Sequence, residues 1–186
     1  MPSLALTEPL SDGVVTLRTL REEDLEPYAA AFATDVELGR LLGMEHDPDL
    51  ESLRERLGRL EAMASEGRLA EVAIADEATG AFRGSVTLHS LDRRNRRGEL
   101  GFWIVPDARQ RGICERALTL ALDWMFGPLD LERAELTTTP DNDAVAALAA
   151  KVGFAKEGTL RSRNLERGRR VDVVMFGLLR GEWRPS

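Results

Sequence analysis

The chain has almost no cysteine: Cys114 is the only one in 186 residues. No internal disulfide can form, and a reducing, cytoplasmic setting is the default expectation. Histidine is nearly as scarce. His46 and His89 stand far apart, which argues against a histidine-rich metal site. Long apolar runs are missing too. The longest unbroken one is Ala144–Ala150, far below the ~18 residues that suggest a membrane span. Met1–Leu10 carries Glu8 and Pro9 and no basic residue, unlike a secretory signal. There is no internal repeat and no low-complexity linker. Disulfide scaffolds, membrane-spanning proteins and repeat arrays are therefore set aside.

What is present is an ordinary globular composition, of a length that fits one domain over residues 1–186. The net charge of −7 is unevenly spread. Residues 1–80 hold 18 acidic and 7 basic side chains, and residues 81–186 hold 14 and 18. Such a split predicts two different binding surfaces. Two arginine clusters, Arg93–Arg97 and Arg161–Arg170, suggest nucleic acid, but they have no interleaved aromatics and the whole chain is acidic. A direct nucleic-acid partner is not expected.

The informative stretch is Glu99–Gly127. Glu99–Val105 is aromatic and β-branched and reads as a strand that Pro106 must end. From Ile113 the apolar residues take helical spacing, through Ala117, Leu120, Ala121 and Trp124, and Gly127-Pro128 is a stop signal. Between them lies a tight basic loop. The first N–H groups of a helix lack internal partners and sit at the positive end of its dipole. Gly112 lets a ligand approach the main chain, and Arg109 and Arg111 add charge. The unit suits a phosphate or pyrophosphate. It is not a P-loop, since no Gly-Lys-Ser/Thr follows.

Around this unit the spacing predicts a strand at Val14–Arg18, a helix reaching Thr34 and a short one over Asp35–Leu42 ended by Gly43. Asp47-Pro48 caps a third helix striped by Leu50, Leu53, Leu57, Leu60 and Ala64. Strands follow near Val72–Ala75 and over Gly84–Leu91. After the central helix come a strand at Glu132–Thr139, a helix from Asn142 to Gly153, and strands at Phe154–Leu160 and Val171–Leu179, joined by a polar connection, Arg161–Arg170. This is a mixed α/β (α+β) layer arrangement.

Arg109-Gln110-Arg111-Gly112-Ile113-Cys114 resembles the Arg/Gln-x-x-Gly-x-Gly/Ala signature of the GNAT superfamily of acyl-CoA-dependent N-acyltransferases. The strand Glu99–Pro106, Asn142, Gly153-Phe154, Glu157-Gly158 and the closing stretch from Asp172 to Trp183 are similar to its RimJ/RimL branch. The resemblance runs from about Val14 to Trp183. It implies a mostly antiparallel sheet, splayed between the organising strand and the strand at Glu132–Thr139, with acyl-CoA in the splay. It also implies acetyl-CoA as cosubstrate and direct transfer to a primary amine, on a peptide N-terminus or a small molecule. A homodimer is compatible with it.

On this reading Ile104 and Val105 offer main-chain groups to the pantetheine arm, and Gln110, Gly112, Ile113 and Cys114 offer N–H groups to the pyrophosphate beside Arg109 and Arg111. Asn142 is an N-cap that can also touch pantetheine. Glu99 is the first candidate for general base, on the organising strand, where partial burial would favour that role. Its alternative is a surface glutamate paired with an arginine of the 93–97 loop. His89 is the second candidate, because imidazole ordinarily titrates near neutrality. Two residues depart from the superfamily pattern. Ala149 stands where many members have an acidic tyrosine, and Val145 where RimJ/RimL-type proteins often have serine. That leaves a catalytically silent acyl-CoA-binding protein as the rival. Cys114 reads as a small filler at a close packing point.

Overall fold

The computed structural model describes residues 3–42, 44, 46–166 and 168–184. In chain order they form β1 (Leu10–Ser11), β2 (Val15–Thr19), a 3-10 turn (Glu22–Asp24), α1 (Leu25–Thr34), α2 (Leu38–Leu41), α3 (Leu50–Ser65), β3 (Ala70–Asp76), β4 (Phe82–Asp92) and β5 (Arg97–Ile104). A second 3-10 turn (Pro106–Ala108) leads to α4 (Ile113–Phe126), β6 (Arg133–Thr138), α5 (Asp143–Val152), β7 (Ala155–Glu166) and β8 (Arg169–Leu179).

The strands make one sheet in the order β1-β2-β3-β4-β5-β6-β8-β7. Every pairing is antiparallel except β5 with β6. That parallel pair is short: Arg97, Gly98 and Glu99 face Arg133, Ala134 and Glu135, and there the ladder ends. Beyond it β5 stays with β4 as far as Ile104, while β6 stays with β8 as far as Thr138. The two halves of the sheet therefore part like a V whose vertex is Glu99, as the expected splay requires.

Two layers hold the V in shape. A chain that returns to a parallel neighbour needs a crossover, and α4 supplies it. Its Ala117, Leu118, Ala121, Leu122 and Met125 are fully buried, and it packs on β2, β4, β5 and β6. Of the expected stripe, Ala117, Ala121 and Trp124 are buried while Ile113 and Leu120 are only half-buried, and Leu118, Leu122 and Met125 widen the buried face beyond the sequence expectation. On the other face, Trp103 of β5 lies against Tyr28 and Phe32 of α1 and Phe82 of β4, with ring centroids 4.7, 5.1 and 5.6 Å away. Such pairs add roughly 0.5–1.5 kcal/mol each beyond their burial, and they fix α1 over the organising strand. The start of α1 is tied to β2 by a buried bidentate pair, Arg18 to Asp24 at 2.7 and 2.8 Å.

Three local expectations change. The cap of α3 is Asp49, not Asp47: its carboxylate accepts from Ser52 N–H at 2.8 Å, and the Ser52 hydroxyl lies 3.1 Å from the Asp49 N–H. α2 covers only Leu38–Leu41, and the expected stop at Gly43 lies outside the described residues. Of the polar connection, residues 161–166 and 169–170 are strand, and β7 and β8 pair as one long hairpin. Nearly every residue of β7 is exposed, so no buried face imposed an alternating pattern for the sequence to display.

Candidate active site

The open end of the V is a cavity of about 620 Å³. One wall is the β5 backbone from Leu100 to Ile104, the other is Leu136–Thr138 of β6. Leu38, Leu41 and Leu42 close one side, the loop Arg109–Gly112 with the first turn of α4 closes the mouth, and Asn142, Val145 and Leu148 of α5 complete it. The β5 wall is not a passive surface. Val105 N–H donates to Arg83 O at 2.9 Å, so the odd-numbered residues of β5 turn their polar groups to β4. By antiparallel alternation, the N–H and C=O of Phe102 and Ile104 turn toward β6, which has already diverged. A pantetheine arm could pair with this edge as an added strand, through Phe102 and the Ile104 N–H, since Ile104 O already accepts from Arg109 Nε. Phe102 thus takes the place expected of Val105. Val105 lines a separate shallow cleft of about 600 Å³ beside Phe82 and Arg83.

The mouth has the features of an anion site. α3 and α5 are capped by Asp49 and Asn142, but α4 begins at Gly112 with no side-chain cap. Gly112 has φ +74°, and a Cβ there would meet nothing within 4 Å. Gln110 also has positive φ (+60°), and Ile113, Cys114 and Glu115, whose N–H groups are the first of the helix, line the cavity. Arg111 is exposed, with no carboxylate within 4.0 Å among the described residues. Arg109 is used differently from expectation. Its Nε donates to Ile104 O at 3.3 Å and its Nη2 meets Asp35 at 2.5 Å, so it bridges the β5 end to the loop between α1 and α2. Lys151 of α5, unnoticed in the sequence, lines the cavity and pairs with Glu115 at 2.5 Å. Asn142 Oδ1 accepts from Val145 N–H at 3.2 Å, which leaves its amide NH₂ free beside the cavity.

Glu99 and His89 sit at the vertex. They are direct cross-strand partners on β4 and β5. Neither lines the cavity wall itself, but each reaches it through a neighbour. Thr137 Oγ1 donates to Glu99 Oε1 at 2.5 Å, and Thr137 is a wall residue. His89 lies over Gly101, its Nε2 about where a Cβ would make contact at 3.5 Å, and its Nδ1 is 2.9 Å from Ser90 Oγ. Of the arginines in the 93–97 loop, Arg97 meets Glu135 at 2.7 Å and Asp92 at 3.6 Å, and Arg96 meets Asp130 and Glu132. Thr137 was missed because its nearness to Glu99 depends on the parallel register of β5 and β6, which no local pattern reveals.

No tyrosine or serine lines the cavity among the described residues. Ala149 is fully buried, and Val145 is apolar wall. Tyr28 is walled in by Phe32, Phe82 and Trp103 and donates to Glu71 at 3.1 Å. Burial first, and the Glu71 charge second, push its phenol well above the ordinary range. It cannot serve the cavity as an acid. The hydroxyls that do reach the wall are Thr137 and Thr138. Cys114 is a packed thiol, pushed by burial up to about 12, far from the thiolate character of a nucleophile.

Comparison with known proteins agrees with this geometry. Residues 15–155 match the family model of the acetyltransferase (GNAT) domain. The chain is 27% identical over 164 residues to the uncharacterized N-acetyltransferase YoaA of Bacillus subtilis (strain 168), covering 88% of this chain and 92% of that one. Over 84 residues, 45% of each chain, it is 32% identical to spermidine N(1)-acetyltransferase of Escherichia coli (strain K12). Among solved structures, Mycobacterium smegmatis RimJ in complex with CoA-disulfide superposes with a TM-score of 0.83 at 27% identity, over 92% of this chain and 86% of that one. The uncapped helix behind a splayed strand and the matched length together place the chain: it belongs to the GNAT acetyltransferase family, as an acetyl-CoA-dependent N-acetyltransferase of RimJ/RimL-like build.

Proposed function

We propose that the protein transfers the acetyl group of acetyl-CoA directly to a primary amine, on a polypeptide N-terminus or a small molecule, with Glu99 as general base. The observation that carries this reading is the V itself. It sets an open helix N-terminus at one end of a cavity and, at the other, a carboxylate that reaches the wall through the Thr137 hydroxyl. The N–H groups at 112–115 with Arg111 hold the pyrophosphate. Phe102 and Ile104 hold the pantetheine amides, and a β5 N–H faces the thioester oxygen as negative charge grows on it. Glu99 takes the amine's proton, directly or through one water. The departing thiolate is a fair leaving group and can take its proton from water, so the absence of a tyrosine at 149 does not stop the reaction.

The test is acetyl-CoA consumption across a panel of peptides and small amines, run with the wild type, Glu99→Gln and His89→Ala. Glu99→Gln lowers kcat roughly 100-fold and alters its pH profile, with cofactor affinity kept. Loss in His89→Ala and not in Glu99→Gln would move the base to β4. Binding of acetyl-CoA with no turnover on any amine would favour the catalytically silent reading.

A further inference from the structure

The hairpin of β7 and β8 extends beyond the rest of the sheet. β8 pairs with β6 only as far as Val174, and from Leu160 to Val173 the two strands run on as a free arm. The arm bends at a bulge between Leu160 and Asn164, fixed by the Ser162 N–H donating to Asp172 at 2.7 Å. Arg161, Arg163, Arg169 and Arg170 are all exposed on it. None has a carboxylate within 4.0 Å among the described residues. By contrast, Arg18, Arg56, Arg97, Arg133 and Arg180 are each held by Asp or Glu.

Three further features bear on what such an arm would meet. β7 ends the sheet order, so its outer edge carries unpaired N–H and C=O groups that an extended chain can join. Leu160 and Leu165 are exposed between the arginines, at 38% and 57%. The arm leaves the sheet beside the cavity, because Val174 at its base is the register partner of Thr138, a wall residue.

We propose that the β7–β8 arm is a docking surface for an acidic polypeptide segment, which joins the β7 edge and sets its carboxylates against Arg161, Arg163, Arg169 and Arg170. On the reading of the previous subsection, the segment is the part of a polypeptide acceptor that follows the reacting amine. Nucleic acid fits less well. The arm offers aliphatic side chains where stacking would need aromatic ones, and residues 1–80 of the same chain are strongly acidic.

The experiment uses the full chain and the triple variant Arg161→Glu/Arg163→Glu/Arg170→Glu, with Arg→Gln at the same three positions as the milder form should the first fail to fold. The probe is a fluorescein-labelled peptide of about twelve residues, rich in Asp and Glu after a free N-terminus, beside its Asn/Gln counterpart. By anisotropy in the presence of CoA, the acidic peptide binds the wild type at least about tenfold more tightly than the neutral one. The variant loses that advantage, and kcat/KM for a small amine stays within about twofold of wild type, since the arm contributes no atom to the cavity. Equal affinity of wild type and variant for the acidic peptide overturns the proposal. So does a single-stranded RNA that binds more tightly than the acidic peptide at physiological salt and is lost in the variant. Arm-dependent binding without acetylation supports the docking surface and counts instead against a polypeptide acceptor.

Discussion

Thr137 is the residue whose role emerged only from the structure. Its hydroxyl, 2.5 Å from Glu99 Oε1, fixes one carboxylate oxygen, and on the proposed mechanism the other is the one that meets the amine. Replacing it with valine keeps the shape and removes the donor. Thr137→Val lowers kcat about tenfold, less than Glu99→Gln, and shifts the pH–rate profile while KM for acetyl-CoA is unchanged. A variant with an unmoved pH profile assigns Thr137 to packing alone. Cys114 makes the opposite kind of prediction. Its thiol is held up to about 12 by burial, so thiolate is scarce at any pH where the protein is studied. The folded protein at pH 8 reacts with iodoacetamide far more slowly than the same chain unfolded in guanidinium, and equal rates would remove this picture of a thiol kept protonated in the cavity wall. At this scale the sequence was a partial guide. Gly112 and Asn142 line the cavity and Glu99 lies one hydrogen bond from its wall, but the task of Arg109 did not follow from its type. Asp35 is distant in sequence, and only the fold brings that carboxylate to the guanidinium.

Among elements, α4 bears most of the functional argument, and its N-terminus can be tested alone. Gly112→Glu puts a carboxylate where the pyrophosphate belongs and forces an L-residue into positive φ. It abolishes acetyl-CoA binding by calorimetry while far-UV circular dichroism stays native, at a stability cost of about 1 kcal/mol from the strained backbone. Retained affinity would place the cofactor elsewhere. Helices proved legible because their caps and stripes are local: α3, α4 and α5 begin and end within a few residues of the positions the sequence indicated. The β7–β8 arm was not legible, and the reason is physical. A strand shows itself through a buried face, and β7 has almost none. The parallel rungs between β5 and β6 were invisible for another reason, since register between distant strands is a tertiary property.

For the molecule as a whole, charge pairing sets the response to acid. Asp49 is held below the usual carboxylate range by Ser52, Asp92 by Asn95, Asp130 by Arg180 and Glu157 by Arg133. A carboxyl whose folded pKa is depressed adds stability above its unfolded pKa and loses it as pH falls through the folded value. Many such groups act in the same direction here. Thermal unfolding followed from pH 7 downward therefore shows Tm nearly flat to about pH 5 and falling steeply below about pH 4. A Tm that rises on acidification would contradict the set of depressed carboxyls. Among the described residues no helix is long and apolar enough to cross a membrane.

The three rungs that join β5 to β6 also govern how the protein breathes. Two half-sheets joined so briefly form two cooperative units, each with its own opening free energy, and a ligand lying in the V touches both. In the free protein the amides of Phe102 and Ile104 exchange with solvent quickly for residues so deep in a sheet, while those of Gly101 and Trp103, bonded to β4, exchange slowly. Acetyl-CoA at a hundred times its Kd adds about 2.7 kcal/mol to global stability and slows the Phe102 and Ile104 amides most of all. Deuterium uptake resolved to single amides reads this alternation directly. Odd-numbered residues of the strand report the protein's own unfolding, and even-numbered ones report the ligand.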